Sequence, residues 1–369
     1  MPNRVHNLDV TTIDRHIQRL IANLVDITDT SGEFLLRLDD GRVIDTKGWN
    51  DWEWTHGIGL YGIYKHYELT NDARSLQIMR DWFSNRFAAG TPTKNINTVA
   101  ALLTLAYLYE ESGDKTYLPY LDTWAEWVMH ELPRTEEAGF QHIVFNSENP
   151  QQLWDDTLMM SVLPLAKIGL LLDRPEYVDE ATRQFLIHIK YLFDRKTGLW
   201  FHGWTFDGRH NFAEALWARG NCWVTIAIPE FIELLELEAG DPLRDFLIQT
   251  LEAQIRTLAK TQDEATGLWH TLLVDKGSYL EASATAGFAY GILKSVRKGY
   301  IGKEYEQVGV KAIKAVLANI SESGELRNVS FGTAMGSDLD FYRKIPLTAM
   351  PYGQSMAILA LAEYMRTYI

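Results

Sequence analysis

The chain has 369 residues, 46% hydrophobic and 23% charged, ordinary proportions for a globular protein with a large core. Its formal charge of −14 argues against nucleic acid or an anionic membrane surface as a partner, while leaving room for a small anion held by a few local basic groups. One cysteine, Cys222, excludes an internal disulfide; with no apolar leader in "MPNRVHNLDVTTID" and no run of about 18 apolar residues, a reducing cytoplasm and no membrane span are expected.

Along the chain, "FLLRLDDGRVIDT" (34–46) reads as two short strands around an Asp-Gly turn, a small β-hairpin near the N-terminus. "WNDWEWTHG" (49–57) follows, with three tryptophans and His56 in nine residues. The glycines of "HGIGLYG" (56–62) match GxGxxG, but they follow a tryptophan-rich turn rather than a strand. Small residues that let helices approach closely explain them better. "TPTKNINTVAALLTL" (91–105) places Lys94, Asn95 and Asn97 before another apolar helix.

In "NPQQLWDDTLMMSVLPLAKIG" (149–169), Pro150 fits a first helical turn, capped by Asn149 or Ser147. Asp155 and Asp156 then lie about a turn and a half into that helix and point roughly 100° apart, so only one of them can face a given cavity. One reading is a structural hydrogen bond for one and solvent for the other. The other reading is a carboxyl in an apolar cavity, its pKa raised from ~4 towards neutrality so that it gives and then takes a proton.

Next, "LWFHGWTFDG" (199–208) sets His202 in a loop among Trp200, Phe201 and Trp204. "EALWARGNCWV" (214–224) alternates Trp217, Arg219, Asn221 and Trp223 near a helix start. Arg219 suits either a substrate carboxylate or a buried ion pair. Cys222 reads as a packed core thiol. "FGTAMGSDLDFYRKIPLTAMPYG" (331–353) is a long loop before the last helix. No HExxH, CxxC or GxSxG motif and no close histidine cluster occurs, so no metal site is expected.

A loose repeat organises these pieces. Turns "AGF", "TGLWF", "TGLWH" and "SGEL" place glycines at 139, 198, 267 and 324, spaced 57 to 69 residues apart. The unit is helix, short turn, helix, longer loop, and about six units fill the chain. Six helical hairpins closed in a ring make an all-α fold, an (α/α)6 barrel forming one domain over residues 1–369. An open solenoid is the alternative, but the units are irregular and rich in loop aromatics. The segments preceding the inner helices would meet at one mouth of the barrel, the expected place for a pocket. The 12 Trp and 17 Tyr suit stacking on sugar faces as well as core packing.

"LWDDTLMM", "WFHGWTFDG" with "ALWARGNCWV", and "KNINTVAALLTL" resemble glycoside hydrolase family 105, the unsaturated rhamnogalacturonyl hydrolases, and the likeness runs over almost the whole chain. The resemblance implies removal of a terminal 4,5-unsaturated uronic acid from pectin-derived oligosaccharides by hydration of the double bond, without metal or organic cofactor. It implies Asp156 as the acid, the residue before "TLMM", with Asp155 its structural neighbour. His202 and Arg219 match substrate positions, and Trp217, Trp204, Asn97 and His56 complete the expected substrate-binding set. One departure stands out: relatives carry a second aspartate where this chain reads "TKNIN", leaving Asn97 to offer a neutral hydrogen bond. Alternatives are an unsaturated glucuronyl hydrolase, a sugar 2-epimerase using two facing histidines, and a non-catalytic carbohydrate-binding barrel.

Overall fold

In the computed structural model, residues 4–38 and 40–368 are described. Helix α1 (Val10–Asp26) leads into a strand pair, β3 (Leu35–Arg37) and β4 (Val43–Asp45), the hairpin expected from sequence. Asp39 of its turn lies outside the described residues. A shorter pair, β1 (Arg4–Val5) and β2 (Leu8–Asp9), precedes α1.

Helices then alternate. Residues 54–70 form α2, 73–89 α3, 101–112 α4, 118–126 α5, 163–171 α6 and 175–192 α7. The series continues with α8 (218–234), α9 (242–261), α10 (282–297), α11 (306–318), the short α12 (339–343) and α13 (351–368). Six of them touch in a closed cycle: α2 meets α4, α4 meets α6, α6 meets α8, α8 meets α10, α10 meets α13, and α13 returns to α2. The outer helices α3, α5, α7, α9 and α11 each pack on the inner helix that precedes them, and α1 packs on α13. The sixth hairpin therefore joins the two ends of the chain, and the architecture is an (α/α)6 barrel.

The inner helices are buried around nearly their whole circumference because neighbours enclose them. Residues 55–66 of α2 are all buried, as are 218–232 of α8. The outer helices α3 and α9 start at aspartate caps, Asp72 and Asp241, whose carboxylates accept the first free N–H groups. The glycines of 56–62 do what close approach requires. A Cβ on Gly57 would stand 2.6 Å from the Ala101 backbone nitrogen, and one on Gly62 would stand 2.8 Å from the Ser355 carbonyl oxygen.

The recurring turn glycines have a second cause. Gly198 has φ +78° and Gly324 φ +83°, left-handed values that other residues adopt only with strain. Each also lies against the next outer helix: a Cβ on Gly198 would stand 2.5 Å from the Ala253 carbonyl of α9, and one on Gly324 would meet the Arg19 carbonyl of α1. The repeat seen in the sequence is thus a docking contact between successive units.

Two further strand pairs were not expected. β5 (Gln152–Trp154) pairs antiparallel with β6 (Gly203–Thr205), and β7 (Trp269–His270) with β8 (Leu280–Glu281). β5 and β6 tie together two successive loops that precede inner helices, whereas β7 and β8 form a hairpin within the single loop before α10. Among the described residues, no helix is long and apolar enough to cross a membrane.

Candidate active site

Five of the six inner helices, α2, α4, α6, α8 and α13, bring their starts to a cavity of about 560 Å³ at one end of the barrel. Glu53 and Trp54 enter it from the start of α2, Asn97 from the turn before α4, Asp156 from before α6, Trp217 and Arg219 from α8, and Met350 from before α13. The loop 331–337 forms a wall, as the long segment before the last helix suggested. Helix N-termini carry partial positive charge and free N–H groups, so this end of the ring favours a small anion despite the net negative charge of the chain.

The helix expected from Pro150 does not begin there. Residues 152–154 form β5, Asp155 and Asp156 make a turn, and a single wide π-type turn at Leu158–Val162 precedes α6. The cause is long-range. β5 pairs with β6, and the Asp155 N–H extends the ladder by donating to the His202 carbonyl at 3.0 Å. That pairing brings Asp156 to His202. The His202 Nε2 stands 3.3 Å from Asp156 Oδ2, and its Nδ1 lies 2.7 Å from the Tyr342 hydroxyl. Tyr342 itself is held by the Gly336 N–H.

The two aspartates part as expected in direction but not in protonation. Asp155 is fully buried, its carboxylate packed where a Cβ of Gly220 would stand. Burial, reinforced by the charge of Asp156, pushes its carboxyl well above the usual range. Asp156 lines the cavity with a side chain 17% exposed. Burial alone would raise it too, but the hydrogen bond and charge of His202, with the Asp155 side chain, hold it at about 2. The directions are the reverse of the expectation that Asp156 is the raised carboxyl: burial and the neighbouring charge raise Asp155, while His202 lowers Asp156, and the two titrate as a coupled pair.

His142, not singled out from the sequence, lines the same wall. Its ring stacks on Trp154 at 4.2 Å, its Nδ1 lies 2.8 Å from the Thr157 hydroxyl, and burial lowers its pKa to about 3, so it is neutral. The repeat carries the missing signal: His142, His202 and His270 each follow a turn glycine (139, 198, 267) by three or four residues.

Arg219 is 1% exposed and has no carboxylate partner among the described residues. Its Nη1 donates to the Ser330 carbonyl at 2.5 Å and to the Ser330 hydroxyl, and its Nη2 donates to the Phe331 carbonyl at 2.8 Å. Its Nε has no partner, and the guanidinium lies over the Trp217 and Tyr352 rings at 4.6 and 5.0 Å. A buried cation neutralised only by dipoles and ring faces attracts an anion from the cavity. The buried ion pair that the sequence left open as an alternative is absent.

Asn97 and Trp217 line the cavity, whereas three expected residues, His202, Trp204 and His56, are not among the residues that line it; His202 reaches the site through Asp156. Trp204 pairs across the strands with buried Leu153 and packs on Tyr191 and Phe206; the cavity-facing pair is the next one, Trp154 with Gly203. Cross-strand partners share a face, and neighbouring pairs alternate. His56 is fully buried, its Nε2 2.7 Å from the Gly48 carbonyl and its Nδ1 accepting the Glu53 N–H at 3.0 Å. It braces the start of α2 from behind. Cys222 is a buried core thiol, its Sγ donating to the Arg219 carbonyl. Asp155, Asp156 and His202 also form a group whose ligand atoms lie within 4.8 Å of one another, a spacing that suits a cation as well as a shared proton.

The Glycosyl Hydrolase Family 88 profile matches residues 26–368. The chain is 33% identical over 319 residues to the unsaturated rhamnogalacturonyl hydrolase YesR of Bacillus subtilis, covering 86% of this chain and 90% of that one. A crystal structure from Salmonella enterica serovar Paratyphi A, described as a possible member of the GH105 family, superposes with a TM-score of 0.98. It is 62% identical, over 99% of this chain and 97% of that one. A family 105 glycoside hydrolase of C. acetobutylicum is 26% identical with a TM-score of 0.78, over 86% of this chain and 95% of that one.

Proposed function

The chain belongs to Glycosyl Hydrolase Family 88, and from that premise we propose that it removes the terminal 4,5-unsaturated uronic acid from rhamnogalacturonan-derived oligosaccharides, with rhamnose the next sugar. The relative named an unsaturated rhamnogalacturonyl hydrolase supports this substrate class. One observation carries the reading: a carboxylate, Asp156, at the wall of an aromatic-lined cavity whose buried cation, Arg219, has no anionic partner. A volume near 560 Å³ suits a disaccharide, and a single buried thiol suits a reducing cytoplasm.

The proton economy follows from the Asp155–Asp156 pair. The free site holds its proton on Asp155. A uronate drawn to Arg219 and the helix N-termini expels water and brings a negative charge near Asp156, which raises that carboxyl and moves a proton onto it. Asp156 then protonates ring carbon 4, and positive charge develops at carbon 5. Water adds there and returns a proton to Asp156, so one water is consumed and the acid is regenerated. The resulting hemiketal opens and releases the next sugar. His202, fixed by Tyr342, keeps the Asp156 carboxylate oriented throughout.

The test is to incubate the protein with a lyase-generated unsaturated rhamnogalacturonan disaccharide and follow the ultraviolet absorbance of the double bond. Wild type should consume it, and Asp156→Asn should lose about 10²–10⁴ in rate, the usual worth of a positioned acid. An undiminished Asp156→Asn rate would remove Asp156 from the reaction. Faster turnover of an unsaturated glucuronyl disaccharide would reassign the substrate. Against a 2-epimerase, His142 lies flat on Trp154 and His202 is committed to Asp156 and Tyr342, leaving no free facing pair.

A further inference from the structure

The cavity has a floor and a rim. Trp154, Trp217 and Arg219 are buried and lie with Asp156 on the floor, whereas Phe145 and Phe212 are half-buried, and Asn146 and Ser147 exposed, at the open side. A substrate with its uronate on the floor has its next sugar at that rim. Phe145 stands at the tip of a tight turn, closed by the Val144 N–H to the Ser147 carbonyl at 2.9 Å and the Ser147 N–H to the Val144 carbonyl at 3.3 Å. Phe212 sits in the loop after β6 with φ +56°, a left-handed value that strains a bulky residue. The loop is tied down around it. Asn211 Nδ2 donates to the Tyr191 and Gly203 carbonyls at 3.2 and 3.0 Å, and the Phe212 N–H donates to His210 Nδ1 at 3.0 Å. Strain of this kind persists where the surroundings impose it, and here it leaves the ring on the cavity wall.

Core packing does not account for either ring. Phe331 and Trp54 of the same cavity pack against the hydrophobic core, whereas Phe145 and Phe212 are neither part of it nor packed against it. Charge is equally one-sided. Arg219, on the floor, is the lone lysine or arginine to line the cavity among the described residues. We propose that Phe145 and Phe212 form the subsite for the second sugar, and that this subsite selects a neutral sugar over an anionic one. The proposal rests on the hydrolase reading above and deepens it. The C–H faces of a sugar pack on aromatic rings, while a carboxylate placed there loses water and gains no cation in exchange.

The experiment measures kcat and KM on three substrates sharing the unsaturated uronate: joined to rhamnose, joined to galacturonate, and as its methyl glycoside. The proteins are wild type, Phe145→Ala, Phe212→Ala and Phe212→Tyr, with a thermal melt of each. Wild type should favour the rhamnose disaccharide over the galacturonate one about tenfold in kcat/KM. The ratio of kcat/KM for the rhamnose disaccharide to that for the methyl glycoside should fall about tenfold in each alanine variant, mainly through KM. Phe212→Tyr keeps the ring and should hold that ratio within about threefold of wild type. A ratio unmoved in either alanine variant of unchanged Tm overturns the proposal. So does a wild-type preference for rhamnose below about threefold, a result that needs no variant to fold. In those cases an active wild type leaves the hydrolase reading standing. A wild type that leaves the double bond of all three substrates intact overturns both.

Discussion

Asp155 and Asp156 are chain neighbours, yet one is sealed beneath Gly220 and the other lies between His202 and the cavity. Their contributions to stability have opposite signs. Asp156 is held at about 2, below its unfolded value, so its stabilising effect is present above pH ~4 and is lost as pH falls towards 2. Asp155 is raised, so the folded chain keeps a proton that the unfolded chain releases, and stability falls as pH rises above ~4. Asp155→Asn should therefore raise Tm at pH 7 more than at pH 4, while lowering activity because the site loses its resting proton. Equal Tm changes at the two pH values would contradict that sign. Gly220→Ala should cut kcat, since the added Cβ would stand 2.4 Å from Asp155 Oδ2 and displace the pair. Overpacking there costs about 1–3 kcal/mol, visible as a lower Tm.

The turn glycines show how a loose sequence repeat becomes geometry. Gly198 needs its positive φ and its contact with α9 at once. Gly198→Ala should lower stability by about 1–3 kcal/mol in urea unfolding, with KM for the disaccharide little changed, because the turn lies behind the site rather than in it. A loss of activity without a loss of stability would place that turn in the site instead. The paired strands β5 and β6 act at the same scale. Two three-residue strands from successive loops set the meeting of Asp156 with His202, and neither strand has enough sequence of its own to announce itself.

At the scale of the molecule, the parallel inner helices put N-termini around the cavity and C-termini around a charged plug at the far end. There the Lys294 Nζ lies 2.5 Å from both Glu230 and Glu233, Lys65 lies 3.7 Å from Glu230, and the Tyr290 hydroxyl donates to Glu230. Cations belong at helix C-termini. Glu230 is held far below the usual carboxylate range and Glu233 at about 2; burial opposes both shifts and the lysines outweigh it. Glu230→Gln leaves Lys294 with Glu233 and Lys65 with Glu68 but removes the buried anion between them, and should cost about 1.5–3 kcal/mol in chemical unfolding, with KM unchanged because the site lies at the other end of the ring. A changed KM would show that the two ends are coupled.

By itself the sequence determined the ring of helical hairpins, through the turn glycines, the wide apolar faces and the small residues at 57 and 62. It also placed Arg219, Trp217 and Asn97 near the starts of inner helices, because a side chain there has one mouth to reach in this architecture, while it set Asp156 a turn and a half inside a helix that does not form there. Tertiary structure decided the rest. Pairing of β5 with β6 overrode local helix signals at 150–156, turned Trp204 away and brought in His202. Burial and neighbouring charge, which no spacing records, raise Asp155 and lower Asp156, and the meeting of separate loops brings Glu53 and His142 to the wall. Periodicity reports which face of a segment is apolar; protonation and cavity lining depend on what other segments bring to it.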